Sequence, residues 1–460
     1  MSKQGVFHFE ISERKLLLRL FDVLFIALAI VGLNYFFNKT YIYFSNQFWL
    51  WLTVYCAYFL FFGTVFELYV LKQAESRFKV IKNLLLSLVF SIILYLFTPY
   101  ITPVFPPNRM LILHLFLSNF ILLMLWRFSY ISFINAPRFF KRVLFVGENF
   151  KIDDIVNEIN NFDPNYKVVG YIDNGQNRIK SQNIKAYEIS EINDVIQRKN
   201  VGEIVVANSY RGVNEDIFKH LAPMLKKGIP IRPYSKVYED ITNRILLRDV
   251  SNDFYCYFPF SRSNQNKLYL AFNRFLDIII SLLGIVLMLI FIPIILLINT
   301  IYNRGTLFYK QVRLGQDSKA FKIIKFRTMV KDAENNGAQW AEKEDLRITP
   351  FGKFLRRTRI DELPQFINIL KNDMSLIGPR PERPEFIEKL KEKIPFYETR
   401  HIIKPGLTGW AQVNAKYARS DDDTIVKLQY DLYYIKERSL FLDFRIFVKT
   451  ISTVIFFRGH

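Results

Sequence analysis

The stretch Arg359-Ile360-Asp361-Glu362-Leu363-Pro364-Gln365, followed by Gly378-Pro379-Arg380-Pro381, decides the fold of the C-terminal part of this chain. We expect Asp361 to open a helix, because Pro364 is tolerated only in the first turn. The apolar face of that helix consists of Leu363, Phe366, Ile367 and Leu370. The two carboxylates would then lie where free backbone amides and the helix dipole favour anions.

Asp361 and Glu362 have a structural and a functional interpretation. An N-cap with an acidic first turn is common and needs no ligand. A functional site is favoured by the surrounding arginines, including Arg356 and Arg380, and by the nearby glycine–proline turn. Adjacent carboxylates can divide the chemistry, one as nucleophile or metal ligand and the other as Mg²⁺ ligand or acid/base. Such an ion would offset the charge of a diphosphate, which two bare carboxylates would repel.

Two further segments surround this stretch. Residues 308–315 and 321–329 are β-rich runs around a polar turn, which predicts a hairpin. Alternation along its second strand would place Lys325 and Arg327 on one face, as anchors for phosphate or as an ordinary solvated face. The glycine-rich segment Pro405–Asn414 could bring backbone amides close to a ligand, or could be a plain tight turn.

The remainder of the chain is both apolar and basic. It is 51% hydrophobic and carries a formal charge of +20 over 460 residues. This combination predicts an integral membrane protein whose polar parts face anionic lipid or anionic substrates, and no nucleic-acid-binding motif accompanies the charge. Four runs approach the roughly 20 residues that span a bilayer: Leu16–Phe37, Phe48–Leu71, Leu84–Val104 and Leu111–Phe133.

Basic residues concentrate before the first run, between the second and third, and after the fourth, whereas the other two loops carry only Lys39 and Arg109. The positive-inside bias therefore predicts a cytoplasmic N-terminus and a cytoplasmic location for everything after the fourth span. No small-residue cleavage site follows the first run, so no cleavable signal is expected.

A fifth apolar run, Ile278–Asn299, has basic residues on both flanks, which argues against a crossing. Pro293 interrupts it and removes a backbone hydrogen bond. A helix that enters the inner leaflet, bends and returns to the same face satisfies both observations. An ordinary fifth span with a proline kink is the alternative.

Residues 140–235 alternate strands and helices, which predicts a Rossmann-like parallel sheet. The first turn, Gly147-Glu148-Asn149-Phe150, lacks the glycines of a dinucleotide fingerprint, and Glu148 would repel a pyrophosphate. A regulatory or architectural domain is therefore favoured over an NAD-binding enzyme. Cys56 and Cys256 and the five scattered histidines indicate neither a disulfide framework nor a zinc site.

Residues 267–457 closely resemble the catalytic domain of the bacterial sugar transferases, the polyisoprenyl-phosphate hexose-1-phosphate transferases. The matching pieces are Phe275–Asp277, Lys325–Met329, Asp361–Gln365, Asp373–Pro381, Pro405–Asn414 and Tyr430–Ile435. The four spans and the middle domain fit the long-form members. Arg359 departs from the pattern, because many relatives have a small polar residue there.

The resemblance implies a two-step reaction. Asp361 would attack the β-phosphate of a UDP-sugar, expel UMP and form an aspartyl-phosphosugar, which undecaprenyl phosphate would then take up. Glu362, together with Asp361, would hold Mg²⁺. The substrate-binding set would be Lys325, Arg327, Arg356, Arg380, Pro379, Pro381 and Gln412. Glucose or galactose is the expected sugar, with an N-acetylated sugar as the open alternative, and the product would start an exopolysaccharide, capsule or O-antigen unit.

The expected fold is thus a membrane protein of α plus α/β class. Its parts are a four-helix transmembrane bundle (1–137), a Rossmann-like cytoplasmic domain (138–235), a linker (236–266), and a monotopic α/β catalytic domain (267–460) with a re-entrant helix at about 275–301.

The expected location is the bacterial cytoplasmic membrane, with no nucleic-acid partner. Homo-oligomerisation and polysaccharide-assembly partners stay open, as does an interfacial role for Leu440–Phe457. A catalytically silent scaffold is the competing function, and an NAD-dependent sugar-modifying enzyme is a third, disfavoured one.

Overall fold

A computed structural model describes most of the chain. It covers residues 11–36, 40–70, 74, 77–106, 108–134, 140–147, 152–163, 165–173, 181, 183–206, 215–247, 264–302, 305–330, 333, 345–415 and 420–455. The turn containing Glu148, Cys256 and the last two residues of the expected helix Leu440–Phe457 lie outside these residues. The chain divides into two compact units, residues 1–242 and 243–460.

The first unit begins with four apolar helices: α1 (Ile11–Phe36), α2 (Phe48–Val65), α3 (Arg77–Leu96) and α4 (Met110–Ile134). Helix α1 packs against α4, α2 against α3, and α3 against α4, around buried residues such as Ile26, Tyr55 and Leu84. All four are long and apolar enough to cross a membrane. Leucines on their outer faces stay exposed, as on helices that meet lipid.

An α/β domain follows these helices. Its elements are β1 (Lys141–Gly147), α5 (Ile152–Phe162), β2 (Tyr166–Asp173), β3 (Ala186–Tyr187), a 3₁₀ turn (Ile189–Glu191), α6 (Ile192–Lys199), β4 (Glu203–Val206), α7 (Glu215–Lys226), β5 (Ile231–Pro233) and α8 (Tyr234–Thr242). The strands form one parallel sheet in the order β3-β2-β1-β4-β5. Strand β1 is central, and its residues 143–147 are apolar and buried, as expected for a strand covered on both faces. The prediction of apolar helices followed by a parallel-sheet domain is confirmed.

Buried ion pairs tie this unit together. Arg14, near the start of α1, donates to both oxygens of Asp163 at 3.0 Å, and so joins the first apolar helix to the loop before β2. Arg127 of α4 pairs with Asp22 of α1, and both side chains are fully buried. Charges at such depth are tolerated because each has its partner within the protein.

The second unit contains Asp361 and Glu362, the pair of carboxylates that we call the dyad. Its elements are α9 (Lys267–Tyr302), β6 (Phe308–Leu314), a 3₁₀ turn (Gln316–Ser318), β7 (Ala320–Phe326), α10 (Pro350–Thr358), a 3₁₀ turn (Ile360–Glu362), α11 (Gln365–Leu370), β8 (Ser375–Ile377), α12 (Pro384–Lys393), a 3₁₀ segment (Tyr397–Ile402), β9 (Gly406–Thr408), α13 (Trp410–Asn414), α14 (Asp421–Glu437) and α15 (Leu440–Ile455). Strands β6 and β7 form the expected antiparallel hairpin, and β8 pairs with β9 in parallel.

Helix α9 runs along one side of this unit. It continues through Pro293 as one helix, and it is the fifth helix in the described chain that is long and apolar enough to span a bilayer. Met288 and Ile295 of α9 pack with Phe326 of β7 and Leu355 of α10 in a common core. Gly284 gives Phe366 room, because a Cβ at this position would lie 2.3 Å from the ring. Helix α11 therefore packs directly onto α9.

Three local expectations differ from the structure. Asp361 does not open a regular helix, since α11 begins only at Gln365 and Asp361 and Glu362 form a separate 3₁₀ turn before it. Strand β7 ends at Phe326 instead of Met329, because the chain leaves the hairpin and Met329 bridges Ile348. The stretch 236–266, expected as a linker, begins inside helix α8.

Candidate active site

The dyad sits in a sharp reversal between two helices. Thr349 caps α10, its hydroxyl accepting from the Gly352 amide at 3.0 Å, and α10 ends at Thr358, followed by Arg359 with the left-handed φ of 61°. The following 3₁₀ turn presents Asp361 and Glu362, which are 6% and 9% exposed. Two adjacent carboxylates at this burial require compensation by charge or by a bound cation.

Glu362 receives that compensation from three side chains. Its Oε1 lies 3.3 Å from Lys325 Nζ and 3.4 Å from Arg380 Nη2, and its Oε2 lies 3.2 Å from Arg359 Nη1. Burial acts to raise the pKa of Glu362, but the charges of Lys325, Arg380 and Arg359 outweigh it and hold that pKa well below its usual range. Glu362 is therefore an anion throughout the physiological pH range.

Asp361 is in a different position. Its Oδ1 is buried and makes no hydrogen bond. Burial, and next the charge of Glu362, raise the pKa of Asp361 to about 6, while Lys325 and Arg356 act in the opposite direction. At neutral pH this carboxylate is mostly ionised, poorly solvated and without a hydrogen bond on one oxygen, which are the properties of a nucleophile.

Both carboxylates line a cavity of about 330 Å³. Ten of the described residues in its walls are cationic: Arg313, Lys325, Arg327, Arg347, Arg356, Arg359, Arg380, Arg383, Arg400 and Lys427. Among the same described residues, only Asp361, Glu362 and Glu382 are acidic. A cavity with such an excess of positive charge fits a ligand with several negative charges.

The predicted site residues divide into two groups. Lys325, Arg327, Arg356 and Arg380 all line the cavity with the dyad. Arg356 is oriented by a 2.9 Å hydrogen bond from its Nε to Thr328 Oγ1, and Arg327 donates to Thr306 Oγ1 at 2.7 Å. Long-range folding thus brings together cations that are separated by up to 55 positions in the chain.

Pro379, Pro381 and Gln412 lie outside the cavity lining. Gln412 Nε2 donates to the Leu407 carbonyl at 3.0 Å, and the Pro381 carbonyl accepts from Arg313. The glycines of these two segments serve a close crossing of backbones: a Cβ on Gly378 would lie 2.3 Å from the Lys404 carbonyl oxygen, and one on Gly406 would lie 2.0 Å from the Gly378 nitrogen. The substrate-binding roles of Pro379, Pro381 and Gln412 stay predictions.

Sequence reasoning missed a supporting pair behind Arg380. Arg400 is buried and donates to the Arg380 carbonyl at 3.0 Å and to Asp431 Oδ2 at 2.7 Å. Burial raises the pKa of Asp431 to about 6, with Arg400 acting against it. Asp431 falls in the quoted motif Tyr430–Ile435 and could have been singled out there, whereas nothing near Arg400 in the sequence marks it.

The carboxylate oxygens of the site can be compared with the ligands that the expected Mg²⁺ would need. In the described part of the chain, no cluster of three or more histidine, cysteine, aspartate or glutamate side chains forms a cation cage. Mg²⁺ in phosphate-handling sites usually has only one or two carboxylates and completes its shell with water and substrate phosphates. The open oxygen of Asp361 beside Glu362 fits a shared site of this kind, in which the substrate supplies the remaining ligands.

Comparison with known proteins places this geometry in a family. The family model "Bacterial sugar transferase" matches residues 268–457. An uncharacterized sugar transferase of Bacillus subtilis is 40% identical over 152 residues, which cover 71% of that protein and 33% of this chain. The chain belongs to the bacterial sugar transferase family.

Two longer members of this sugar transferase family match over part of their length. The UDP-N-acetylgalactosamine-undecaprenyl-phosphate N-acetylgalactosaminephosphotransferase of Aeromonas hydrophila is 40% identical over 240 residues, 52% of this chain and 55% of that protein. The UDP-glucose:undecaprenyl-phosphate glucose-1-phosphate transferase of Klebsiella pneumoniae is 40% identical over 200 residues, 42% of each chain. This sugar transferase thus matches about half the length of these two longer relatives.

Proposed function

We propose that this protein transfers a sugar 1-phosphate from a UDP-sugar to undecaprenyl phosphate, with release of UMP. The observation that carries the proposal is the buried, unpartnered oxygen of Asp361 beside a fully neutralised Glu362 in a strongly cationic cavity. The names of the relatives supply the donor and acceptor classes. The same relatives act on glucose and on N-acetylgalactosamine, so the donor expected for this chain is either a simple or an N-acetylated hexose.

In the first step, an oxygen of Asp361 attacks the phosphorus that carries the sugar. The new phosphorus–oxygen bond forms as the bridge to the second phosphorus breaks, and the bridging oxygen leaves with UMP. Lys325, Arg356 and Arg380 line the cavity beside Asp361 and would stabilise the charge that develops on the phosphoryl oxygens. The product of this step is an aspartyl-phosphosugar.

In the second step, a phosphate oxygen of undecaprenyl phosphate attacks the same phosphorus. Asp361 leaves as the carboxylate, which needs no proton at neutral pH because its pKa is about 6. Mg²⁺ held by Glu362 and Asp361 would supply additional neutralisation of the diphosphate. A lipid diphosphosugar of this type starts exopolysaccharide, capsule or O-antigen repeat units, and this is the pathway class we propose.

The contacts of α9 support catalysis at a single membrane face. Arg274 donates to the carbonyls of Ile369 and Leu370 at 2.7 and 2.8 Å, and Asp277 accepts from the Leu376 amide at 2.9 Å. Further along, Met288 and Ile295 pack against Phe326 and Leu355. The contacts from Arg274 to Ile295 extend over roughly 30 Å of helix, about the thickness of the hydrocarbon core of a bilayer.

A helix fastened to one domain along such a length cannot also be surrounded by lipid across the whole membrane. Its opposite face is exposed and apolar, with Leu268, Leu282, Leu283, Leu289, Ile290 and Leu297. We therefore propose that α9 lies in one leaflet and that the cavity opens at the level of the lipid headgroups. A cytosolic nucleotide-sugar and a lipid phosphate could meet there.

The experiment that tests the function is nucleotide release by the purified full-length protein with Mg²⁺, undecaprenyl phosphate and a panel of UDP-sugars. UMP release with one donor supports phosphosugar transfer and identifies the sugar. UDP release would mean ordinary glycosyl transfer, and no release from any donor would favour the silent scaffold. The intact dyad argues against the scaffold, because two buried carboxylates are costly to keep without a function.

A further inference from the structure

The cavity extends well beyond the dyad to a second wall. This wall, which we call the distal wall, consists of Glu382, Phe386 and Leu390, with Thr424, Lys427 and Leu428 opposite them. Phe386 and Leu390 lie on α12, whereas Thr424, Lys427 and Leu428 lie at positions i, i+3 and i+4 of α14 and so share one face of that helix. None of these residues is required by the two chemical steps.

The distal wall combines apolar surface with a small set of polar groups. The partly buried Phe386 and the buried Leu390 and Leu428 make this part of the lining apolar, and the Phe386 ring is of a kind that packs on other rings. The Thr424 hydroxyl donates to the Ser420 carbonyl at 3.1 Å, so its oxygen is left with the role of an acceptor towards a ligand. Lys427 adds a cation, and burial lowers its pKa. Glu382, 3.5 Å from Arg313, adds a carboxylate.

These groups complement a pyrimidine nucleoside. The Watson–Crick edge of uracil presents an acceptor, a donor and an acceptor in sequence, which an ammonium and a hydroxyl oxygen can meet. A carboxylate such as Glu382 is suited to accept from ribose hydroxyls. The cation-rich zone around Asp361 would then hold the two phosphates that join nucleoside to sugar.

The two ends of the cavity also differ in their surroundings. The wall formed by β7 and α10 packs on α9 through Phe326 and Leu355, so it adjoins the apolar helix. The outer face of α12 is charged and exposed, with Glu385, Glu388, Lys389, Glu392 and Lys393. The distal wall therefore belongs to the water-facing side of this unit, and the β7–α10 wall to the side that faces lipid.

We propose that the distal wall binds the nucleoside of the UDP-sugar, so that UMP departs on that side before the lipid phosphate, entering from the β7–α10 side, takes the place on phosphorus that UMP has left. This inference rests on the proposed function and adds the orientation of the donor. In-line displacement in both steps makes the lipid phosphate follow UMP onto the same face of phosphorus, so the nucleoside monophosphate must first leave into water while the sugar stays with the phosphorus that the lipid attacks. A donor bound the other way round would place the leaving group against the membrane.

Photolabelling of the full-length protein tests the placement without any substitution. The protein is incubated with 4-thiouridine 5′-diphosphate and the complex is illuminated. The labelled peptides are then mapped by mass spectrometry. We expect labels in residues 382–397 or 424–428, and competition by unlabelled UDP. Labels confined to residues 326–330, 347 or 356, or no label on α12 and α14 while the probe is bound, would overturn the orientation.

Variants of the distal wall give a second, independent measurement. Thr424→Val and Lys427→Met should each weaken UDP binding by about tenfold or more, as expected for the loss of a buried or charge-assisted hydrogen bond. In Thr424→Val, which removes no charge, binding of inorganic pyrophosphate and the KM for undecaprenyl phosphate should change by less than about twofold. Lys389→Met, on the exposed face of α12, is the matched control. If a Thr424 or Lys427 variant does not purify as folded protein, the other one and the photolabel still decide.

The outcomes separate this inference from the function on which it rests. Wild-type protein that releases no UMP would refute the function. Wild-type protein that releases UMP, with distal-wall variants that bind UDP as tightly as wild type, would refute only the orientation. Variants that keep UDP affinity but change the preference between UDP-glucose and UDP-N-acetylgalactosamine would assign the wall to the sugar and would also refute the orientation.

Discussion

Lys325 of strand β7 donates a hydrogen bond to Glu362, with 3.3 Å between Nζ and Oε1, although 37 positions separate the two residues. Asp361, the immediate neighbour of Glu362, has no hydrogen bond to its buried Oδ1. Two adjacent carboxylates thus have opposite electrostatic environments. Glu362 therefore holds the side chains of Lys325, Arg359 and Arg380 in place, and Asp361 is left available to react.

The first prediction concerns Lys325. Lys325→Met removes a cation that both neutralises Glu362 and faces the substrate phosphates, so we expect kcat to fall roughly 10²- to 10³-fold. UMP-release kinetics measure this. Lys322→Met is the matched control, because Lys322 lies on the same strand with the opposite orientation and outside the cavity lining. Unchanged kcat in Lys325→Met would remove Lys325 from the phosphate site.

The second prediction is that the two carboxylates have opposite effects on stability. Asp361→Asn should abolish turnover and the covalent phosphosugar adduct, yet raise the free energy of unfolding at pH 7.5 by roughly 1–3 kcal/mol, because a poorly solvated charge is removed. Glu362→Gln should lower it by a similar amount, since three cations lose their anion. Thermal midpoints in detergent and intact-protein mass spectrometry provide the measurements. Asp361→Asn protein that still turns over would exclude Asp361 as nucleophile.

The third prediction is a pH profile. Asp361 reacts as the carboxylate and its pKa is about 6, so kcat/KM should be half-maximal near that pH and fall about tenfold per unit below it. Asp431 has a similar pKa, and Asp431→Asn should keep this acid limb if Asp361 causes it.

Protonation of Asp361 and Asp431 does not lower the stability of the folded protein, so a loss of activity in acid can be assigned to the chemistry. Both folded-state pKa values lie above the ordinary 3.8, so the favourable contribution of these carboxyls is complete at low pH and is lost as the pH rises through about 6. Their titration therefore does not unfold the protein in acid. A loss of the thermal midpoint in parallel with activity between pH 6.5 and 5.5 would contradict the assignment of the acid limb to Asp361.

The fourth prediction tests the backbone crossing below the site. Gly378→Ala would place a methyl group 2.3 Å from the Lys404 carbonyl oxygen, where only backbone could yield. We expect a loss of about 3 kcal/mol or more, seen as a poor yield of folded protein. Gly202→Ala is the control, because the nearest atom to its new methyl group would be 3.9 Å away. A stable Gly378→Ala protein would mean that the backbones at Gly378 and Lys404 lie further apart than the structure shows.

The fifth prediction concerns the membrane topology of α9. In a background of Cys56→Ala and Cys256→Ala, Lys319→Cys should resist an impermeant maleimide added to intact cells, because the site is expected on the cytoplasmic face. Tyr100→Cys, exposed between the third and fourth apolar helices, should react and serves as the positive control. Efficient labelling of Lys319→Cys would mean that α9 crosses the membrane.

Much of the architecture could be predicted because it depends on local patterns. The apolar runs, the strand–helix alternation of residues 140–235 and the hairpin with its partner strand are all periodic signals within single segments. Segment ends were less predictable. The 3₁₀ turn at Ile360–Glu362 depends on the left-handed backbone of Arg359, a conformation that an arginine side chain does not signal.

The sequence by itself determined that two carboxylates would lie among cations, because Arg356, Arg359 and Arg380 are close to them along the chain. Only the tertiary structure decided which carboxylate is neutralised, since that depends on how near Lys325 of a distant hairpin comes to Glu362 rather than to Asp361. It also decided that Arg400 and Asp431 support Arg380, and that α12 and α14 close the far end of the cavity. Contacts between distant segments are set by packing, and packing is not encoded in any local pattern of residues.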